Sequence, residues 1–195
     1  MRRKTILITA MVLLLCFFVT GFARANSFPQ KKAEQSIAKA ISYMHNVQNA
    51  DGGFPAKKGY PSSLDVTAWV TMALGAAGED VTGKDWAPSG NNPMDFMENC
   101  SDTPESTTDY ARILLALSAV GEGTVYKGVD IAEKLASFQM KDGQFGRSGL
   151  DESGLINSHM WSILALSSSN TNIPAREQAR KWLVSRQNQD GGFVW

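Results

Sequence analysis

The sequence predicts an all-α protein built from helical hairpin repeats, and two recurring phrases carry that prediction. The first is Gln48-x-x-Asp51-Gly52-Gly53-Phe54, which returns as Gln139-x-x-Asp142-Gly143-Gln144-Phe145 and as Gln187-x-x-Asp190-Gly191-Gly192-Phe193. The second alternates with it: TAWVTMALGAAG from residue 67, YARILLALSAVG from 110 and HMWSILALSSS from 159. Self-similarity of this kind marks a repeat architecture, here with a unit of about 46 residues. A degenerate copy is then due near residue 95, where Met94-Asp95-Phe96-Met97 reads as a short helix and Cys100-Ser101-Asp102 replaces the glycine turn.

The segments ahead of the first phrase place Ala33, Ile37, Ile41 and Met44, and later Ile131, Leu135 and Phe138, at helical spacing among lysines and glutamates. Such stripes belong to helices with one face in solvent. The second phrase is apolar nearly all round and too short to span a membrane, which suits a buried inner helix. Aligned on their Ala-Leu pairs, Trp69, Arg112 and Trp161 coincide, as do Leu74, Leu117 and Leu166. Start signals stand at Asn92 with Pro93, at Asn172 with Pro174, and at Ser62-Ser63, Ser106-Thr107-Thr108 and Ser153. The first phrase itself reads as a corner. Glycine directly after a helix takes the left-handed conformation, the aromatic folds back, and glutamine satisfies frayed carbonyls or the free N–H groups of a neighbouring helix.

Residues 1–25 read as a signal peptide: Arg2, Arg3 and Lys4, an apolar run from Ile6 to Phe22, and Ala23-Arg24-Ala25 as a cleavage site, with a transmembrane anchor as the alternative reading of the run. Export to the cell surface or medium is the expectation, with no stable membrane span after cleavage. The full chain balances 19 basic against 19 acidic residues; losing Arg2, Arg3, Lys4 and Arg24 leaves 15 against 19, a net charge of −4 on residues 26–195. That argues against nucleic acid as a partner. Cys100 alone remains, so no internal disulfide forms and packing must hold the domain; the thiol is either buried or pairs between chains.

The Gln-x-x-Asp-Gly-Gly-Phe phrase after an amphipathic helix, with Ala-Leu-rich helices between copies, resembles the QW-type repeat of the prenyltransferase and squalene cyclase superfamily. Squalene-hopene cyclases, protein prenyltransferase β subunits, complement-type thioester domains and the cobalamin-binding transcobalamin and intrinsic factor proteins share it. The resemblance covers residues 31–195 and implies an α/α toroid, inner helices around a cavity and outer helices wrapping them. About seven helices are written here, against about twelve for a six-hairpin ring. An open arc is expected, with further C-terminal repeats or another chain completing it and a face around Ala175, Ala179, Trp182 and Leu183 left partly uncovered.

By resemblance, active sites lie at the mouths of the inner helices. An alkene-protonating acid there would need paired carboxylates; Asp65 and Asp109 stand singly and read equally as first-turn acids that complement the helix dipole. A zinc site would need Asp, Cys and His in an order that Cys100, Asp102 and His159 do not follow. A Gly-Cys-Gly-Glu-Gln thioester is absent. Candidate cavity residues are Tyr60, Asp65, Trp69, Asp109, Tyr110, Asn157, His159 and Trp161, with ordinary core packing as the other reading of the aromatics and capping as the other reading of His159. The leading function is an exported, noncatalytic ligand-binding or interaction module without cofactor, a corrinoid ligand entering by resemblance only. The alternatives are a terpenoid cyclase or prenyltransferase-type enzyme whose catalytic residues lie beyond this chain, and a cell-surface scaffold.

Overall fold

The computed structural model describes residues 29–147, 152 and 155–193. The chain divides into two compact units, Met1–Ala40 and Ile41–Trp195. Helix α1 (Gln30–Val47) has its first residues in the former, where they are almost all exposed. The second unit continues with α2 (Leu64–Ala76), a 3-10 turn (Lys84–Trp86), α3 (Pro93–Asn99) and α4 (Thr107–Ala119). A two-stranded ribbon, β1 (Val125–Tyr126) with β2 (Val129–Asp130), leads into α5 (Ile131–Ala136), α6 (Ile156–Ser168) and α7 (Arg176–Val184).

The second phrase forms α2, α4 and α6, which lie side by side with α4 in the middle. Their buried faces, Ala68 on α2, Ala111, Leu114 and Leu117 on α4, and Ala165 and Leu166 on α6, make the main core. Small residues set how closely these helices approach: a Cβ on Gly75 would stand 2.5 Å from the Ala119 carbonyl oxygen. Helix α3 packs on α2, α5 on α4 and α6, and α7 on α6. A second cluster gathers Val47, Phe54, Leu74, Val81 and Trp86, with the His45 ring stacked on Trp86 at 3.8 Å.

Two helix starts follow the sequence signals closely. The Asn92 side chain accepts from the Met94 and Asp95 N–H groups while Asp95 accepts from the Asn92 N–H, and Pro93 opens α3. Ser106 and Asp109 make the same reciprocal cap on α4. Two others differ. Helix α7 begins at Arg176 behind Ala175, not at Asn172; Pro174 disfavours a helical Ile173, and Ile173 is instead buried in the core. Ser63 makes no side-chain cap on α2, whose Leu64 N–H points to Asp102 at 3.4 Å. Ser153 lies outside the described residues.

The repeated phrase forms one hydrogen-bonded corner three times. Gln48, Gln139 and Gln187 each donate from Nε2 to the carbonyl of Gly52, Gly143 and Gly191, at 2.9, 3.1 and 2.9 Å. Asp51, Asp142 and Asp190 each accept from the N–H two residues on, at 3.0, 3.1 and 2.9 Å. The glycine does not end the helix as the sequence suggested: α5 stops at Ala136 and α7 at Val184, and the positive φ of Gly143 (94°) and Gly191 (85°) belongs to a separate turn. What glycine supplies there is approach. A Cβ on Gly143 would lie 2.3 Å from the Gln178 carbonyl carbon, and one on Gly52 2.4 Å from the Asn92 oxygen. Glutamine then ties the corner onward, Gln48 to the Trp86 carbonyl and Gln139 to both the N–H and the carbonyl of Ala175. The third corner keeps its internal bonds, but Phe193 is 44% exposed where Phe54 and Phe145 are buried.

Candidate functional site

The shared register of the three inner helices brings Trp69, Arg112 and Trp161 together. The two indoles meet edge to face with centroids 4.9 Å apart, and the Arg112 guanidinium lies 5.5 Å from the Trp69 ring centre. Both contacts are favourable, the first through ring quadrupoles and the second through cation–π attraction. Arg112 is held by Asp109 at 3.1 Å, one turn back on the same helix. The alignment led to the expectation that both tryptophans are largely buried; Trp161 is half-buried, but Trp69 is 37% exposed. Met160 and Leu164, on the same helix as Trp161, are exposed as well.

Beside this wall, at the starts of α2 and α4, a cavity of about 210 Å³ is lined by Leu64, Asp65, Ala68, Thr103, Pro104 and Ile113 among others. Its charged groups are Asp65, Asp102, Glu105, Asp109 and Arg112, so four carboxylates face one guanidinium. Asp109 is the carboxylate most firmly fixed. Burial acts to raise its pKa, but the N–H and hydroxyl of Ser106, the Glu105 N–H and the charge of Arg112 outweigh burial and hold it below the usual carboxylate value. It is therefore an ionised anchor, the opposite of a poised acid. Asp65 is exposed on the first turn of α2.

The other candidates lie elsewhere. Tyr60 is 59% exposed in the loop before α2, with Lys57 over its ring. Tyr110 packs edge-on against Phe138 with Arg147 above it. Asn157 is half-buried on the first turn of α6. His159 is not a wall residue: it is fully buried, its Nδ1 accepts from the Phe145 N–H at 3.1 Å and its Nε2 reaches the Ala179 carbonyl at 3.0 Å. It does in the third repeat what Thr67 does in the first, where the Thr67 hydroxyl accepts from the Phe54 N–H at 2.9 Å.

Sequence reasoning passed over Arg112, although the Ala-Leu alignment had already put it level with the tryptophans. It also passed over Glu105 and weighed Asp102 only as a zinc ligand, whereas the irregular segment between α3 and α4 carries both to the cavity. Glu152 left no signal at all; its buried carboxylate accepts from the Thr107 N–H and hydroxyl and pins the start of α4. Among the described residues no three His, Cys, Asp or Glu side chains converge as a metal centre would need. Nor is any described helix long and apolar enough to cross a membrane.

Comparison with known proteins agrees with this architecture. Residues 6–195 match the prenyltransferase alpha-alpha toroid domain. The chain is also similar to a drimenyl diphosphate synthase of Streptantibioticus cattleyicolor, 30% identical over 176 residues, which are 81% of this chain and 32% of that enzyme. It thus spans about a third of the length of this relative. With the three glycine corners, the paired inner and outer helices and the family match over nearly its whole length, the chain belongs to the prenyltransferase α/α-toroid family.

Proposed function

We propose that this domain is an exported, noncatalytic binding module that holds an elongated apolar ligand against the wall of Trp69, Arg112 and Trp161. The observation that supports it is the half-exposed tryptophan pair, fixed by Arg112, beside a cavity whose best-held carboxylate is an ionised anchor. Exposed aromatic surface beside a cavity is what an apolar ligand needs. Protonating an alkene would need a neutral acid instead, and Asp109 is held away from that state. Export rests on the basic and apolar character of residues 1–25. Thermal melts of residues 26–195 with squalene, long-chain polyprenols, corrinoids and cell-wall fragments test the reading. Squalene or a polyprenol should raise the melting temperature in a saturable way, Trp69→Ala should remove that rise, and a rise with corrinoids only would overturn the elongated apolar ligand. A rise with cell-wall fragments only would favour a surface scaffold.

The likeness to a drimenyl diphosphate synthase favours a second reading, an enzyme of the terpenoid cyclase type completed by residues outside this chain. Incubation with linear polyprenyl diphosphates separates the two. Cyclised product formed once further toroid repeats are supplied, in the same chain or as a second one, and not by residues 26–195 alone, would establish the enzyme.

A further inference from the structure

A second cavity flanks α2 on the side away from the acid-lined one. It measures about 180 Å³ and lies between the last turns of α1, the first two turns of α2 and the segment after the first corner. Its apolar lining comes from Met44 and Val47 on α1, Val66 and Val70 on α2, and Phe54. Tyr43 stands at its side and is 58% exposed. Lys57 and Lys58 complete it. Both lysines are exposed, and among the described residues the ion pairs are Arg112 with Asp109 and Arg180 with Glu177, so no carboxylate within 4.0 Å neutralises either.

The two cavities are thus opposite in charge although they share one helix. Asp65 and Ala68 line the first and Val66 and Val70 the second, because residues one apart on a helix turn about 100° from each other. The cavity volume, near 180 Å³, is comparable to the roughly 150 Å³ that admits a benzene ring. A wholly apolar ligand would leave the lysine pair unused, and a cationic head would be repelled by it. An anionic head on a short apolar body uses both features.

We propose that this groove is a second ligand site that takes a small amphiphilic carboxylate, its body against Val66 and Val70 and its head beside Lys57 and Lys58. It is independent of the reading given to the tryptophan wall. The ligand is a free small molecule, not a bilayer surface, since the apolar lining is recessed and two lysines are too few for stable attachment to anionic lipid.

Octanoate, 1-octanol, octylamine and phosphatidylglycerol vesicles, each titrated into the signal-free chain, test the proposal. Methyl resonances of Val66 and Val70 and isothermal calorimetry give the readout. Octanoate should bind saturably and shift those methyls, with 1-octanol weaker by about tenfold because it lacks the charge. The Lys57→Gln, Lys58→Gln double variant, both changes being on exposed side chains, should bring octanoate down to the level of 1-octanol and remove its salt dependence. Val70→Met should weaken octanoate by partly filling the groove while leaving the melting temperature close to that of the parent. The proposal fails if octanoate shifts no methyl at either valine, if octylamine binds as well, if the double variant binds unchanged, or if only vesicles bind.

Discussion

Phe145 is fully buried, its N–H bonded to His159 and its ring 5.9 Å from the imidazole. Replacing it with alanine should cost about 3 to 5 kcal/mol, the usual loss for a large core aromatic; denaturant unfolding checks this, and a cost below about 1 kcal/mol would contradict the placement. His159 adds a pH dependence. Burial lowers its pKa, more than the Ala179 carbonyl and the Asp142 charge raise it. Since the folded state binds the proton less readily than the unfolded chain, the stability tied to neutral His159 is complete above the unfolded value of about 6.5 and is lost as pH falls below it towards the folded pKa. Melting temperatures from pH 7.5 down to 5.0 should therefore fall more steeply in the parent than in His159→Thr, which copies the hydroxyl acceptor of Thr67 and cannot titrate. Parallel profiles would show that His159 is not the group responsible. Its role was illegible beforehand because a histidine at an inner-helix start suits a cavity wall and a buried acceptor equally. Only the position of the Phe145 N–H decides.

At the scale of elements, the corners explain why glycine recurs. Gly143 and Gly191 share a positive φ, but a Cβ meets the Gln178 backbone at the first and nothing nearer than 3.9 Å at the second. Gly191→Ala should cost only the left-handed penalty of about 1 to 2 kcal/mol. Gly143→Ala adds the clash and should cost about 1 to 3 kcal/mol more. Equal costs would mean that the corner does not seat the next outer helix. Much of this was written in the sequence, since phrase, alternation and period are one-dimensional signals. The glycine turn was misplaced by a few residues because positive φ can close a helix or a later turn, and pattern alone does not distinguish them. The β1–β2 ribbon was missed although Lys127-Gly128 between Tyr126 and Val129 carries its signal; both have positive φ, 47° and 74°, as a two-residue hairpin turn of this hand requires.

For the whole molecule, the family and the helical hairpins were legible because the repeat covers the chain, whereas the wall was only half legible. Register predicted that Trp69, Arg112 and Trp161 share a level, but not that the two indoles would touch edge to face with Arg112 over one of them. The face expected to lie partly uncovered is mostly covered, Ala179 and Trp182 being buried and Ala175 and Leu183 half-buried; the exposed apolar side chains at the third corner are instead Val184 and Phe193. Residues 26–195 should accordingly bind a hydrophobic dye, and Phe193→Ser should reduce that signal; a dye-silent preparation would count against an exposed edge. The central claim, binding without transformation at the tryptophan wall, is tested most directly by recovering the ligand. Isotope-labelled long-chain polyprenol incubated with equimolar domain, re-isolated with the protein and analysed by mass spectrometry should come back bound and chemically unchanged, and Trp69→Ala with Trp161→Ala should retain none. Recovery of a cyclised product, or undiminished retention by the double variant, would contradict it.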